Sequence, residues 1–349
     1  MRMERKLVTI RTVSEIRPIP GADRIEVAVV DGWDCVVNTG KFSAGDRCVY
    51  FEIDSFLPVE ERYEFLRKYS YRKLSDGREG FRLKTARFRG QISQGLLMPL
   101  SDFPELESGA LKENCDLSAL LKVVKYEPPI PANLAGLVKG PFPSFIQKSD
   151  EERIQNLPEY FERYKGALFE ETEKLDGSSC TYYWCDGAFG VCSRNLELLE
   201  TGDNTQWKLA GEMNVKESLA ALNKNIALQG EIVGPGINKN TLRLPKTGFY
   251  IYNVYDIDLR RYQTPDERKE TLKALGNDRI DRVPVLNEGI DIFARIGSMK
   301  ELLEYAKGRS KLNPGRDREG IVFKSHFLDE NRNIVSFKAI SNDYLLEEE

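Results

Sequence analysis

Lys174-Leu175-Asp176-Gly177-Ser178 is the stretch of this 349-residue chain whose residue types could do covalent chemistry. The amine of a lysine is a nucleophile once it has lost its proton, and a carboxylate two residues on can orient it. Its reference pKa of ~10.4 keeps lysine cationic at neutral pH, so the role requires burial, neighbouring cations or a metal ion to lower that value. On pattern alone a second reading stands beside this one. Asp176-Gly177 is then a turn and Lys174 a solvated surface lysine.

The remaining inventory removes most other chemistries. His326 is the only histidine, and Cys35, Cys48, Cys115, Cys180, Cys185 and Cys192 are spread singly with no Cys-x-x-Cys pair. That leaves no pattern for a structural zinc site, a Ser-His-Asp triad or a histidine metal cluster. Catalysis must draw on lysine, carboxylates and a borrowed metal.

The elements that must position Lys174 follow from periodicity and turn residues. Ser178–Trp184 and Ala188–Ser193 read as strands around Asp186-Gly187, and Ile226–Val233 and Phe249–Ile257 as further strands. Thr264-Pro265-Asp266-Glu267 and Ser298-Met299-Lys300-Glu301 are capping boxes opening helices, with Gly276 and Gly308 as stops. Strands alternating with separated helices predict an α+β domain. The first hundred residues differ. Leu7–Val13, Arg24–Val30, Trp33–Val37, Arg47–Ile53 and Ala86–Met98 read as short strands, with Asp31-Gly32 as a hairpin turn and Glu60–Tyr69 as a helical insertion. They predict a small closed barrel of the oligonucleotide-binding (OB) type. Prolines in Tyr126-Glu127-Pro128-Pro129-Ile130-Pro131 and Gly140-Pro141-Phe142-Pro143 mark a semi-rigid connector. The expected organisation is a barrel over 1–110, a linker over 111–145 and an α+β domain over 146–349.

Charge divides in the same way. Residues 1–100 carry 18 Lys and Arg against 14 Asp and Glu, whereas the whole chain carries 51 against 55, so the halves are fitted to different partners. Between Arg67 and Arg89, nine basic residues face only Asp76 and Glu79, with Tyr69, Tyr71, Phe81 and Phe88 interleaved. Cations neutralise phosphates and aromatic faces stack on bases, so the stretch reads as a nucleic-acid contact surface or, more simply, as a solvated basic loop. With 41% hydrophobic and 30% charged residues the composition is globular. No apolar run approaches the ~18 residues of a membrane span, and the N-terminal residues show no signal-peptide pattern, which predicts a cytoplasmic or nuclear protein that does not engage membranes.

The companions of Lys174 occur in a fixed order along the chain. Cys192-Ser193-Arg194-Asn195, Gln229-Gly230-Glu231-Ile232-Val233-Gly234, Asn253-Val254-Tyr255-Asp256-Ile257, Glu319-Gly320-Ile321-Val322-Phe323-Lys324 and Ser336-Phe337-Lys338-Ala339-Ile340-Ser341 follow it. In order and spacing this resembles the covalent nucleotidyltransferases, the superfamily of ligases and mRNA-capping enzymes. It most resembles the ATP-dependent, nick-sealing RNA ligases of family 5, whose OB module precedes the nucleotidyltransferase domain. The run Ile19-Pro20-Gly21-Ala22-Asp23-Arg24-Ile25 also resembles tRNA-binding OB modules.

The resemblance implies an ATP-grasp-like ligase domain in which Lys174 forms lysyl-AMP, AMP passes to a 5′-phosphate and a 3′-hydroxyl displaces it. It implies ATP and Mg2+ or Mn2+ as cofactors. Lys338 and Lys324, brought near Lys174 by sheet pairing, would disfavour its charged form and hold phosphates. Glu231 and Glu319 are expected to hold metal-bound water, Glu231 alternatively the ribose. Tyr255 would stack on adenine, although on pattern alone it also reads as a buried strand tyrosine. Arg194 would lie near the ribose, and Arg153 would meet the terminal phosphates or, more simply, be a solvent-facing helix arginine. Asp176 would orient Lys174 or assist the final attack, and the backbone of Glu173 would read the adenine edge. Many superfamily members end in Lys-x-Lys. Here Ile340 replaces the second lysine, and Lys324 is the expected substitute. The expected partner is a nicked RNA duplex or RNA–DNA hybrid, bound by a monomer. A capping-type guanylyltransferase and a non-catalytic RNA-binding protein are the rival readings.

Overall fold

The computed structural model describes residues 6–74, 77–106, 112–126, 136–201 and 204–347. The chain divides into two compact units, Met1–Ile130 and Pro131–Glu349.

In the first unit, alternating β-branched and aromatic residues build short antiparallel strands. Arg47–Phe51 lies between Val8–Thr12 and Leu96–Pro99, while Glu15–Pro18, Ile25–Val30 and Trp33–Asn38 form a meander. Asp31 (φ 46°) and Gly32 (φ 80°) make the tight turn that Asp-Gly predicts. The inward side chains form two cores, one with Val8, Ile10, Phe51 and Phe81, the other with Trp33, Cys35 and Tyr50.

Three expectations are corrected here. Ala86–Met98 is three strands, Ala86–Phe88, Gln91–Ser93 and Leu96–Pro99, because Arg89 and Gly90 both take positive φ and turn the chain. Glu60–Tyr69 is a 3-10 stretch, Glu61–Leu66, running into a single α turn, Arg67–Ser70. Most of the described part of the expected linker is folded into a unit. Leu117, Leu121 and Val123 are buried in the first unit's core, Val124–Lys125 pairs with Ser55–Pro58, and Val138–Pro141 pairs with Leu196–Leu198 in the second unit. Pro128, Pro129 and Pro131, like Asp76 and the expected boundary at 110, lie outside the described residues.

The second unit is built on two sheets. The larger runs Leu196–Leu198, Ala188–Ser193, Ser178–Cys185, Ile226–Val233 and Gly248–Asp256 through its centre, all antiparallel. Helices Thr205–Glu212, Val215–Leu222 and Pro265–Leu275 cover one face through Leu209, Val215, Leu219 and Leu275. The smaller sheet is ordered Glu152–Arg153, Ile334–Ile340, Gly320–Leu328, Phe169–Lys174 and Val285–Ile290, with Phe169, Phe323 and Phe337 in its core. Thr264 and Glu267 form the reciprocal capping box. At Ser298 only half of the predicted box exists, since Glu301 reaches the N–H of Gly297 instead. Gly308 is no helix stop either, because its helix ends at Tyr305.

Lys174 ends a strand of the smaller sheet, and four residues later Ser178 begins a strand of the larger one. The link passes between the sheets at Gly177. A Cβ there would lie 2.2 Å from the Ile232 carbonyl oxygen and 2.6 Å from Val233 Cγ1, so only glycine lets the chain cross.

Candidate active site

The crossing opens into a polar pocket with walls from both sheets. Thr172, Glu173, Lys174, Val322, Lys324 and Lys338 come from the smaller sheet, and Ser179, Glu231 and Tyr252 from the larger. Arg194, just beyond Ser193, and the loop Ser149-Asp150-Glu151 complete it. Antiparallel register explains the convergence: Lys174 faces Gly320 across one ladder, Ser179 faces Glu231 across another, and Lys338 pairs with Val322. At Gly320 an added Cβ would stand 2.2 Å from the Ala339 carbonyl oxygen, which keeps these strands close beside Lys174.

The electrostatics around Lys174 differ from expectation. Its Nζ donates to Glu319 Oε2 at 2.7 Å. Burial works against the charged amine, yet Glu319, Glu231 and Asp176 outweigh it and hold the pKa above the ordinary lysine value. The side chains of the protein therefore stabilise an ammonium here. The neighbouring cations behave in the opposite way. Burial brings Lys324 down to about 8 and lowers Lys338, the latter helped by Lys174 and Arg153 and opposed by Asp150. Lys324, 1% exposed, donates to the Tyr252 carbonyl at 2.7 Å and lies 4.0 Å from Glu151. Lys338 is 3.5 Å and Arg194 3.7 Å from Asp150 Oδ1. Glu231, partly exposed, is pushed up to about 8 by burial, partly offset by Lys174 and reinforced by Glu319 and Asp176. Asp176 accepts from Asn238 and Thr241, both at 3.2 Å, and from the Tyr344 hydroxyl at 2.9 Å.

The structure thus gathers Lys174, Asp176, Glu231, Glu319, Arg194, Lys324 and Lys338 at one site. Glu173 lines it as well; its N–H donates to the Pro284 carbonyl and its buried carboxylate accepts from the Lys311 N–H. Two of the predicted residues stand elsewhere. Arg153 sits beside Lys338 in the parallel edge strand but does not line the pocket, whose wall there is made by the three residues preceding Glu152. Tyr255 pairs with Ala227, four residues along the strand from Glu231 and so about 13 Å away, in a core with Tyr183, Cys192 and Ile257. Tyr252 lines the pocket instead. A bulge opposite Gln229 and Gly230 shifts the register, and the Tyr252 ring enters the pocket beneath Lys324, whose Nζ is 5.4 Å from the ring centroid. Residues that sequence reasoning missed are Tyr252, Ser179, Asp150, Glu151 and Tyr344. The alternating tyrosines of Tyr250-Ile251-Tyr252 held a trace of the first.

Two family models match the chain: one described as an OB-fold domain over residues 7–100, and one described as RNA ligase over residues 168–340. No curated protein matches it. Among solved structures, an RNA ligase of Naegleria gruberi, as a lysine-to-methionine mutant with AMP and Mn, is 46% identical over 99% of both chains with a TM-score of 0.83. The chain belongs to the RNA ligase family. A lysine-to-alanine mutant of the same Naegleria ligase with ATP and Mn gives equal figures, and its complex with PPi matches 98% of each chain with a TM-score of 0.80. This ligase accordingly pairs an N-terminal OB fold with a C-terminal ligase domain of mixed α and β structure. Among its described residues no helix is long and apolar enough to cross a membrane.

Proposed function

We propose that this ligase uses ATP to seal 3′-hydroxyl/5′-phosphate nicks in duplex RNA or an RNA–DNA hybrid, through a lysyl-AMP on Lys174. The observation that carries the proposal is the constellation at the sheet crossing: one amine facing Glu319 and Glu231, with Lys338, Lys324 and Arg194 ringing the same pocket. The 46% identical Naegleria enzyme, crystallised with ATP, AMP, Mn and PPi, supports ATP and a divalent metal as its cofactors.

The residues fit such an ion. Two carboxylates and Asp176 act on a single ammonium, and burial pushes the Glu231 pKa up, opposed by Lys174 and reinforced by Glu319 and Asp176, so a cation beside these carboxylates would favour their ionised forms. Among the described residues no cluster of three or more carboxylate, histidine or cysteine ligands forms a cage, which suits a hard cation that keeps most of its water and also binds phosphate. When bound at Glu231 and Glu319, the ion supplies charge neutralisation at the α-phosphate.

The chain's own residues do the rest. Lys174, in its unprotonated form, attacks the α-phosphorus; the new N–P bond forms as the bond from that phosphorus to the bridging oxygen breaks, and pyrophosphate leaves with the electron pair. Lys338 and Arg194 exchange Asp150 for nucleotide phosphate. Tyr252, rather than Tyr255, offers a face to adenine opposite Val322, and Lys324 serves as the inner cation in place of the lysine absent at position 340. Asp176 orients the amine and later the attacking 3′-hydroxyl. Positioning and charge stabilisation are most of what such phosphoryl chemistry asks of a protein.

A panel of nicked duplexes differing in the sugar on either side of the break tests this, with ATP or GTP as the nucleotide. Sealing with ATP of nicks carrying ribonucleotides on the 3′-hydroxyl side is expected. Turnover with GTP alone would give the capping-type reading instead, and a chain that binds the duplexes without joining them would contradict both.

A further inference from the structure

The C-terminal helix Asn342–Glu347 begins two residues after the strand that carries Lys338, and its one aromatic residue turns back to the crossing. Tyr344 is buried, and its hydroxyl donates to Asp176 Oδ2 at 2.9 Å. The helix is itself fixed to the site. The Ser341 N–H donates to the Glu319 carbonyl at 2.9 Å, and the Tyr344 N–H donates to Ser341 Oγ at 3.3 Å. The turn is therefore anchored at one end to the backbone of Glu319, whose carboxylate holds Lys174, and reaches the Asp176 carboxylate at the other through the Tyr344 hydroxyl.

The rest of the Asp176 environment shows why a third donor matters. Asn238 and Thr241 come from a single loop that also ties itself to Gly177 through Asn238 Nδ2, at 2.8 Å from the Gly177 carbonyl. These two donors hold the carboxylate to that loop alone. Tyr344 adds a donor from a different segment, fixing the rotation of the carboxyl group relative to Glu319 and Lys338. Burial and the carboxylates raise the tyrosine pKa, so the hydroxyl stays a donor throughout the working pH range.

We propose that Tyr344 is a positioning residue that holds the Asp176 carboxylate in register with Lys174, so that the C-terminal turn Ser341–Tyr344 is part of the ligase machinery. The inference rests on the lysyl-AMP reading above. Tyr344 acts through Asp176 and makes no contact with the reacting atoms.

The test is Tyr344→Phe, which keeps the ring and its packing and removes only the donor, measured in the full-length enzyme alone and combined with Asp176→Asn. Two rates are followed over a range of substrate concentrations, so that kcat and KM are separated: labelling of Lys174 from ATP and joining of a pre-adenylylated nick. Tyr344→Phe is expected to melt like the wild type, to lower kcat of the Asp176-dependent step about tenfold and to leave its KM unchanged. It should add nothing in the Asp176→Asn background. A wild-type kcat in Tyr344→Phe, or a loss confined to KM, overturns the inference, as does an equal loss with and without Asp176. Absence of the AMP adduct from the wild type would instead overturn the underlying reading.

Discussion

At the scale of the residue, the site is a set of charges held in balance against one another. Lys174 carries a pKa above its ordinary value, because three carboxylates oppose the desolvation that would lower it, whereas Lys324 and Lys338 carry depressed ones. The cost of this arrangement falls on Glu231, pushed up to about 8. A carboxyl group whose folded pKa exceeds its unfolded value destabilises the fold once pH rises above the unfolded value, with the full penalty reached above the folded one. Glu231→Gln is therefore expected to melt higher than wild type by a few degrees at pH 8.5 without nucleotide or metal, and to lose that advantage as pH falls toward about 4.5. Equal melting curves at both pH values would show that Glu231 is not strained. The gathering of Lys174, Asp176, Glu231, Glu319 and Lys338 at one site was legible because each lies in its own short motif. The counter-charges Asp150 and Glu151 and the donor Tyr344 were not, since only tertiary contact gives them their roles.

At the scale of the element, close backbone approach decides whether those charges meet. Gly177 lets the Lys174 strand cross from one sheet to the other against the Ile232 carbonyl. Gly177→Ala must push the sheets apart, at a cost of about 1–3 kcal/mol for overpacking, and should abolish nucleotide labelling while lowering the melting temperature. Gly211 gives the contrast. It lies in the helix Thr205–Glu212 with open space around its Cβ position, so Gly211→Ala is expected to be neutral or stabilising by up to about 1 kcal/mol. Should both variants behave alike in melting and labelling, the crossing would not be the constraint. Strand periodicity gave Ser178–Cys185, Ala188–Ser193 and Ile226–Val233 almost residue for residue. It failed at the Gln229/Gly230 irregularity, where one extra residue brings Tyr252 into the pocket and leaves Tyr255 in a core. A bulge leaves no mark in alternation, so alternation alone cannot tell which of these tyrosines lines the pocket. Ala86–Met98 was misread for a similar reason: Arg89 adopts positive φ, which arginine rarely does.

At the scale of the whole molecule, the two units divide by architecture. The basic and aromatic residues between Arg67 and Arg89 are only partly available: Arg67 pairs with Glu64, Lys73 with Glu79, and Phe81 is buried, while Tyr69 and Phe88 remain exposed. Any nucleic-acid contact by a surface so largely paired is expected to be weak and strongly salt-dependent. The chemistry proposed for Lys174 draws on the second unit, where every residue of the pocket lies between Ser149 and Lys338. The measurement that tests this most directly is the intact mass of the full chain after incubation with ATP and Mn2+ or Mg2+, followed by peptide mapping. The account predicts the mass of one AMP added at Lys174, absent from Lys174→Ala and removed when pyrophosphate is supplied. An unmodified chain under saturating nucleotide and metal, or an adduct on a different residue, would contradict it.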